Sequence, residues 1–297
     1  MSESVIPRYY FVDISHWTGI IDWEKVKAFD NGSIKFVITK ATDSYGGKMF
    51  TDSRAIENIK GAKSVDMPIG VYHWLKCDVA PKTASQYIVD VVGKYDPIMY
   101  VVDIEERNIV SATDYAWRAQ EWTYLIEQST HKKPKIYTAE WYISAYLRTP
   151  LKSQKKDYEK IIGWMGNYDL WVAGYPSSKY NILGQLTTPK IPQEWNDYTM
   201  WQFASNVYYP YPGVSEWENK VYGDGRDIFG ASGSKGFDMN VFHIDFEELI
   251  HKDDVLQDDD PEGDYIELED FKTKLLETQK SLNEVKEKIQ KIKEIVE

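Results

Sequence analysis

Cutting a glycosidic bond takes two carboxyl groups in one place. One must be protonated, to donate to the leaving oxygen; the other must be ionised, to stabilise or attack the developing cation. Asp103 and Glu105 close the run Ile98-Met-Tyr-Val-Val-Asp-Ile-Glu. On a strand, residues two apart share a face. Val102 and Ile104 then point the other way, toward covering helices. The bare pattern Asp-x-Glu is uninformative, since it recurs at Asp22–Glu24, Asp157–Glu159, Asp245–Glu247 and Asp260–Glu262. Those four read as exposed helix or linker acids. Ionised acids are very rarely buried without a partner. A pair at the end of an apolar strand is therefore either salt-bridged at the sheet edge or part of a site.

Asp13 repeats the logic behind Tyr9-Tyr-Phe-Val, and Asp238 opens or sits within a last apolar run, Phe237–Phe242. Three separate strands thus each bring a carboxylate. Aromatic residues are abundant, with 22 Tyr, 11 Trp and 10 Phe making 14% of the chain. Core packing accounts for most such residues. A sharper use is a cleft of flat rings, on which the apolar C–H faces of sugars stack.

The elements that must hold these acids follow from periodicity. Eight short β-branched or aromatic runs recur: 9–14, 34–39, 69–74, 98–104, 135–138, 170–173, 198–203 and 237–242. Helical stripes lie between the early ones, among them Ala55, Ile59 and Ala62, then Ala84, Ile88 and Val92, then Tyr115, Ala119, Trp122 and Ile126. This alternation is the mark of parallel βαβ units, and eight such strands suggest an α/β barrel, whose active site lies at the C-terminal ends of its strands. Helices become scarce after about residue 165. Residues 175–192 and 206–235 read as long aromatic loops, and long irregular loops are uncommon unless functional.

The chain has 297 residues and a net charge of −12, with 42% hydrophobic and 28% charged residues. These values fit a soluble globular protein. Its acidity argues against nucleic acid as a partner. No apolar run approaches the roughly 18 residues of a membrane span, so no membrane insertion is expected. Cys77 is the only cysteine and can form neither an internal disulfide nor a cysteine-rich zinc site. No metal or cofactor is called for. Met1–Arg8 lacks the basic and apolar pattern of a secretory signal. Synthesis in the cytoplasm is expected, and any action outside the cell would need release by something other than this segment.

The C-terminal 47 residues hold 15 acidic and 8 basic residues, more than half of the net charge. Residues 251–265 read as an acidic linker after a domain spanning 1–250. Residues 266–297 follow as a coiled-coil helix, with Leu268, Phe271, Leu275, Leu282, Val285, Ile289, Ile292 and Val296 on its heptad seam. Lysines flank that seam. Three arrangements fit: a homo-oligomer, a helix for an acidic partner, or a helix folded back on its own domain. Leu with β-branched seam residues suits trimers or tetramers and favours the homo-oligomer.

In order along the chain, Val12-Asp-Ile-Ser-His-Trp-Thr-Gly-Ile-Ile-Asp-Trp, Phe36-Val-Ile-Thr-Lys-Ala-Thr, Gly70-Val-Tyr-His, Val102-Asp-Ile-Glu, Ile136-Tyr-Thr, Leu170-Trp-Val-Ala-Gly-Tyr, Met200-Trp-Gln-Phe and Phe237-Asp-Met-Asn-Val-Phe resemble the motifs of glycoside hydrolase family 25. These are the Chalaropsis-type lysozymes, common as phage endolysins. The ordered set, over about residues 9–245, is specific where no single piece is. It departs at Asp43-Ser44, where the family usually has Glu-Gly.

The resemblance implies an irregular (β/α)5(β)3 TIM-like barrel. It implies an N-acetylmuramidase that cleaves the β-1,4 bond between N-acetylmuramic acid and N-acetylglucosamine in bacterial peptidoglycan, as a phage or prophage lysin does. Carried over, Glu105 is the general acid. Asp103 is its partner, and Asp13 and Asp238 complete an acidic floor. Tyr72, Tyr137, Trp171, Tyr175 and Trp201 map onto substrate-binding aromatics. Two alternatives stay open: a virion- or wall-associated structural subunit carrying the muramidase, and a chitinase-like glycosidase.

Overall fold

The computed structural model describes residues 9–109, 111–175, 189–205, 225–233, 237–242 and 244–251. The chain divides into two units, 1–255 and 256–297, and every described residue belongs to the first. The linker and heptads at 252–297 lie outside the described residues, as do 176–188, 206–224 and 234–236 of the expected loops.

Among the described residues, nine strands form one sheet: β1 (Tyr9–Ile14), β2 (Ile34–Tyr45), β3 (Lys48–Thr51), β4 (Ile69–Trp74), β5 (Tyr100–Asp103), β6 (Lys135–Thr138), β7 (Leu170–Ala173), β8 (Met200–Ser205) and β9 (Asp238–Phe242). Their order is β1-β9-β8-β7-β6-β5-β4-β2-β3, and β1 also pairs with β2, which closes eight of them into a barrel. Seven barrel strands run parallel; β9 is antiparallel to both of its neighbours. Helices α1 (Trp23–Ala28), α2 (Ala55–Ser64), α3 (Pro81–Val92) and α4 (Ala112–Thr130) cross over after β1, β3, β4 and β5, and short helical turns between Glu140 and Asn167 follow β6. This is the expected (β/α)5(β)3 barrel.

The strands arise where β-branched and aromatic residues cluster, and their alternation sorts the core into two layers. Outside the barrel, Val12, Val37, Val71, Val102, Ile136 and Val172 pack against buried helix residues such as Ile59, Ile88, Ala119, Trp122 and Ile126. Inside it, Phe11, Phe36, Ile38, Val101, Met200 and Phe242 fill the lower part, with Leu249 below. Phe11 and Phe36 stack at 4.4 Å between ring centroids. Much of the aromatic excess is thus packing, as composition alone would favour.

Pro81 starts α3, where its missing N–H costs nothing. Ser111 caps α4 by accepting the Asp114 N–H, and His131 ends it in the left-handed conformation. Three of the other Asp-x-Glu pairs have the same bland role. Asp22, Asp157 and Asp245 each accept a backbone N–H at a helix start. Asp260–Glu262 lies outside the described residues.

One strand is new. The run expected to stop at Thr39 continues to Tyr45 and turns back as β3. Tyr45 pairs with Lys48, so Gly46 and Gly47 alone form the turn. Both have positive φ, +59° and +76°, the conformation a two-residue hairpin of primed type requires. Among the described residues, no helix is long and apolar enough to cross a membrane.

Candidate active site

Inward-facing residues at one end of the barrel enclose a cavity of about 360 Å³. Asp13, Lys40, Tyr72, Asp103, Glu105, Tyr137, Trp171, Tyr175, Gln202 and Asp238 all line it. Asp103 is the last residue of β5, and Ile104 packs into the outer layer, so Glu105 returns to the inner side as alternation demands. Neighbouring strands fix this segment. Leu75 N–H donates to the Asp103 carbonyl at 3.1 Å and Ile104 N–H to the Tyr137 carbonyl at 2.9 Å. Thr138 Oγ1 donates to the Ile104 carbonyl at 2.8 Å, and Tyr142 OH to the Glu106 carbonyl at 2.5 Å.

Asp238 reaches the same mouth for a different reason. It opens β9, and because β9 is antiparallel its first residue lies beside Asp13, with which it is in register. All four carboxylates therefore meet at one end, although three come from or just beyond strand ends and one from a strand start.

A polar network spans the floor. Asp13 Oδ2 accepts from Gln202 Nε2 and Asn240 Nδ2, each at 2.8 Å. Gln202 Oε1 accepts from Tyr137 OH at 2.8 Å and Tyr175 OH at 2.6 Å. Trp171 Nε1 donates to Asn240 Oδ1 at 2.8 Å. Three of the five expected aromatics are thus bound into this network, and Tyr72 lines the cavity beside them.

Trp201 does not belong to the cavity. It packs in the outer layer, with its Nε1 donating to the Gly174 carbonyl at 2.7 Å and its ring edge-on to Phe203. The reason is strand parity: on β8, Met200 and Gln202 point inward, and so Trp201 and Phe203 point outward. The residue to choose from Met200-Trp-Gln-Phe was Gln202. Asn240 was legible in the same way, two residues beyond Asp238. Lys40, Trp74, Ser15 and Trp17 also line the cavity.

Burial governs the acids. It pushes the Asp13 carboxyl up to about 7, against the opposing bonds from Asn240 and Gln202, and Glu105 adds to the rise. Asp103, only 4% exposed, is pushed well above the carboxylate range by burial, then by the charge of Glu105. Its Oδ1 is buried without a hydrogen-bond partner. Burial also raises Glu105, with Arg107 and Lys40 pulling the other way. Desolvation is the leading cause for both carboxyls of the pair, ahead of like-charge proximity. Burial and the surrounding acids keep the phenols of Tyr72 and Tyr137 protonated. The Tyr72 phenol can donate a hydrogen bond to a ligand, whereas that of Tyr137 is already given to Gln202.

Asp43, where the sequence departs from the family, lies in the extended β2. Lys40 Nζ is 2.7 Å and Lys76 Nζ 2.9 Å from its two oxygens. Burial works against its ionisation, but the two lysines hold it below the usual range. Lys40 also lies over the Trp74 ring at 4.9 Å. Among the described residues, no group of three or more His, Cys, Asp or Glu side chains is placed to hold a metal ion.

A closed barrel with paired carboxyls, raised by burial, among inward aromatics defines a glycoside hydrolase site. Comparison with known proteins agrees. The model of glycosyl hydrolases family 25 matches residues 12–211, and the chain belongs to that family. It is 28% identical over 250 residues to the uncharacterized protein YegX of Escherichia coli O157:H7, covering 82% of this chain and 74% of YegX. It is 26% identical over 172 residues to the autolytic lysozyme of Clostridium acetobutylicum, covering 58% and 46% of the two chains. The spore cortex lytic enzyme SleM of Clostridium perfringens shares the fold with a TM-score of 0.60 at 18% identity, covering 84% of this chain and 71% of SleM.

Proposed function

We propose that this glycoside hydrolase is an N-acetylmuramidase of peptidoglycan, cutting the β-1,4 bond from N-acetylmuramic acid to N-acetylglucosamine. The observation that carries the reading is the inward pair Asp103 and Glu105 at the C-terminal end of β5, opening on a cavity floored by Asp13 and Asp238. Relatives named as an autolytic lysozyme and a spore cortex lytic enzyme support the substrate class.

Glu105, kept protonated by burial, donates to the glycosidic oxygen. Asp103 faces the same space, where its carboxyl, raised by burial, orients the substrate's 2-acetamido group. Asp13 and Asp238 add negative potential beneath the oxocarbenium-like state. Tyr72 supplies a phenol donor, and Trp171 an apolar wall.

The setting we infer is that of a phage or prophage lysin, made in the cytoplasm and acting on the wall after release or within a virion. Residues 266–297 serve as its assembly element, and 251–265 as the tether. The discriminating experiment digests purified peptidoglycan and chitin oligomers in parallel and identifies the new reducing end by mass. Reducing N-acetylmuramic acid from peptidoglycan, with chitin left intact, is the expected result. Reducing N-acetylglucosamine from both would make the protein chitinase-like.

A further inference from the structure

Trp17 stands on the short turn His16–Thr18 that follows β1. It lines the cavity together with Asp13 and Glu105, yet the residue is 50% exposed. Trp141 is equally exposed but does not line the cavity, and Trp171, which does, is buried; Trp17 alone of these three is both exposed and at the cavity. An indole left half in water forgoes burial free energy, so its retention at a cavity rim points to a ligand that covers it.

The ring is held in place from behind. The His16 imidazole lies against it, with centroids 4.5 Å and planes 38° apart. His16 is fixed in turn by Asp52, whose side chain is fully buried. Asp52 Oδ2 accepts from His16 Nδ1 at 2.6 Å and from the His16 backbone N–H at 3.2 Å. Its Oδ1 accepts from the Arg54 N–H at 2.9 Å. Ser15 and Thr18 close the turn with a reciprocal capping box. On the far side, Gly233 N–H donates to the Thr18 carbonyl at 2.9 Å, and Ile20 N–H to Ser232 Oγ at 2.9 Å. The packing is close enough that a Cβ on Gly19 would meet the Gly233 backbone at 2.4 Å.

A flat apolar ring, half exposed and fixed beside carboxylates, matches the C–H face of a pyranose. We propose that Trp17 is a sugar-stacking residue at the cavity rim, binding an N-acetylated aminosugar of the glycan chain, and that His16 and Asp52 are positioning residues for its ring. The proposal rests on the muramidase reading for the identity of the sugar.

The test is steady-state kinetics on soluble peptidoglycan fragments. Trp17→Ala is expected to raise KM about tenfold with kcat changed less than about twofold, the signature of lost binding. Trp17→Phe, which keeps a ring, should recover most of that loss. His16→Gln retains an N–H for Asp52 but has no ring, and should raise KM by about threefold with kcat held. A KM for Trp17→Ala within twofold of wild type overturns the proposal, as does a loss confined to kcat.

A binding measurement separates this from the catalytic reading. Calorimetry compares fragment binding by Glu105→Gln with that by Glu105→Gln/Trp17→Ala, with thermal melts confirming that both are folded. If the wild type releases no reducing ends but the single variant binds about tenfold more tightly than the double, the hydrolase reading fails and the stacking role stands. Equal binding by the two variants overturns the stacking role.

Discussion

Gln202 donates to Asp13 Oδ2 at 2.8 Å while its own oxygen takes the phenol protons of Tyr137 and Tyr175. This one amide joins two walls of the cavity to its buried acidic floor. It also sets a limit: two amide donors, Gln202 and Asn240, do not offset the desolvation of Asp13, whose carboxyl stays raised to about 7.

That balance predicts a pH-dependent stability. Below the unfolded value of 3.8, Asp13 is protonated in both states and costs nothing. Between there and about pH 7 the unfolded chain ionises more readily, so the native state loses stability as pH rises, then levels off. The full shift amounts to a few kcal/mol, on the order of 4. Asp13→Asn removes this term. Its melting temperature relative to wild type should climb between pH 4 and pH 8 in thermal melts. A difference independent of pH would show that Asp13 is not raised.

The acid pair predicts the basic limb of the activity profile. Glu105 must keep its proton, and burial raises it, so activity should fall as pH rises through that raised value. The repulsion between Asp103 and Glu105 is mutual. Asp103→Asn should therefore move the basic limb to lower pH, besides lowering kcat by about 10²–10⁴. A pH–rate profile for the two proteins tests the sign. A shift to higher pH contradicts the assignment.

The two tryptophans Trp171 and Trp201 should separate cleanly. Trp171→Phe loses the bond to Asn240 in the cavity wall and should raise KM. Trp201→Phe loses its bond to Gly174 in the outer layer and should cost about 1–3 kcal/mol of stability with KM unchanged. Kinetics beside denaturant melts distinguishes them; the opposite pattern would return Trp201 to the site.

Most of the barrel was legible because each strand announces itself locally, by β-branched and aromatic runs such as Tyr9–Ile14 and Ile69–Trp74. The acids were legible because Asp103, Glu105 and Asp13 end such runs. What local pattern does not carry is direction and parity. Nothing within Phe237–Phe242 states that β9 runs antiparallel, yet only that direction brings Asp238 to the mouth. The chemistry of Trp201 suggests a sugar wall, whereas alternation from Met200 selects Gln202. The β2–β3 hairpin was readable in Gly46-Gly47, two residues between strand-like runs, but the polar stretch Asp43-Ser44 hid the continuation. That burial leads the rise of both Asp103 and Glu105 depends on depth, which a sequence does not give.

The assembly role proposed for residues 266–297 makes a simple prediction. Sedimentation of the full chain should report a trimer or tetramer, and a 1–250 truncation a monomer. The truncation ends close to the boundary of the first unit, at Val255. Equal protomer numbers for both would remove the oligomer from the account.

The central claim is that Glu105 is the proton donor for cleavage of a wall glycan. Release of reducing ends from purified peptidoglycan by wild type and Glu105→Gln, at matched folding by circular dichroism, tests it most directly. The account predicts steady release by the wild type and none above background from the variant. Release by the variant at a rate near wild type would contradict it.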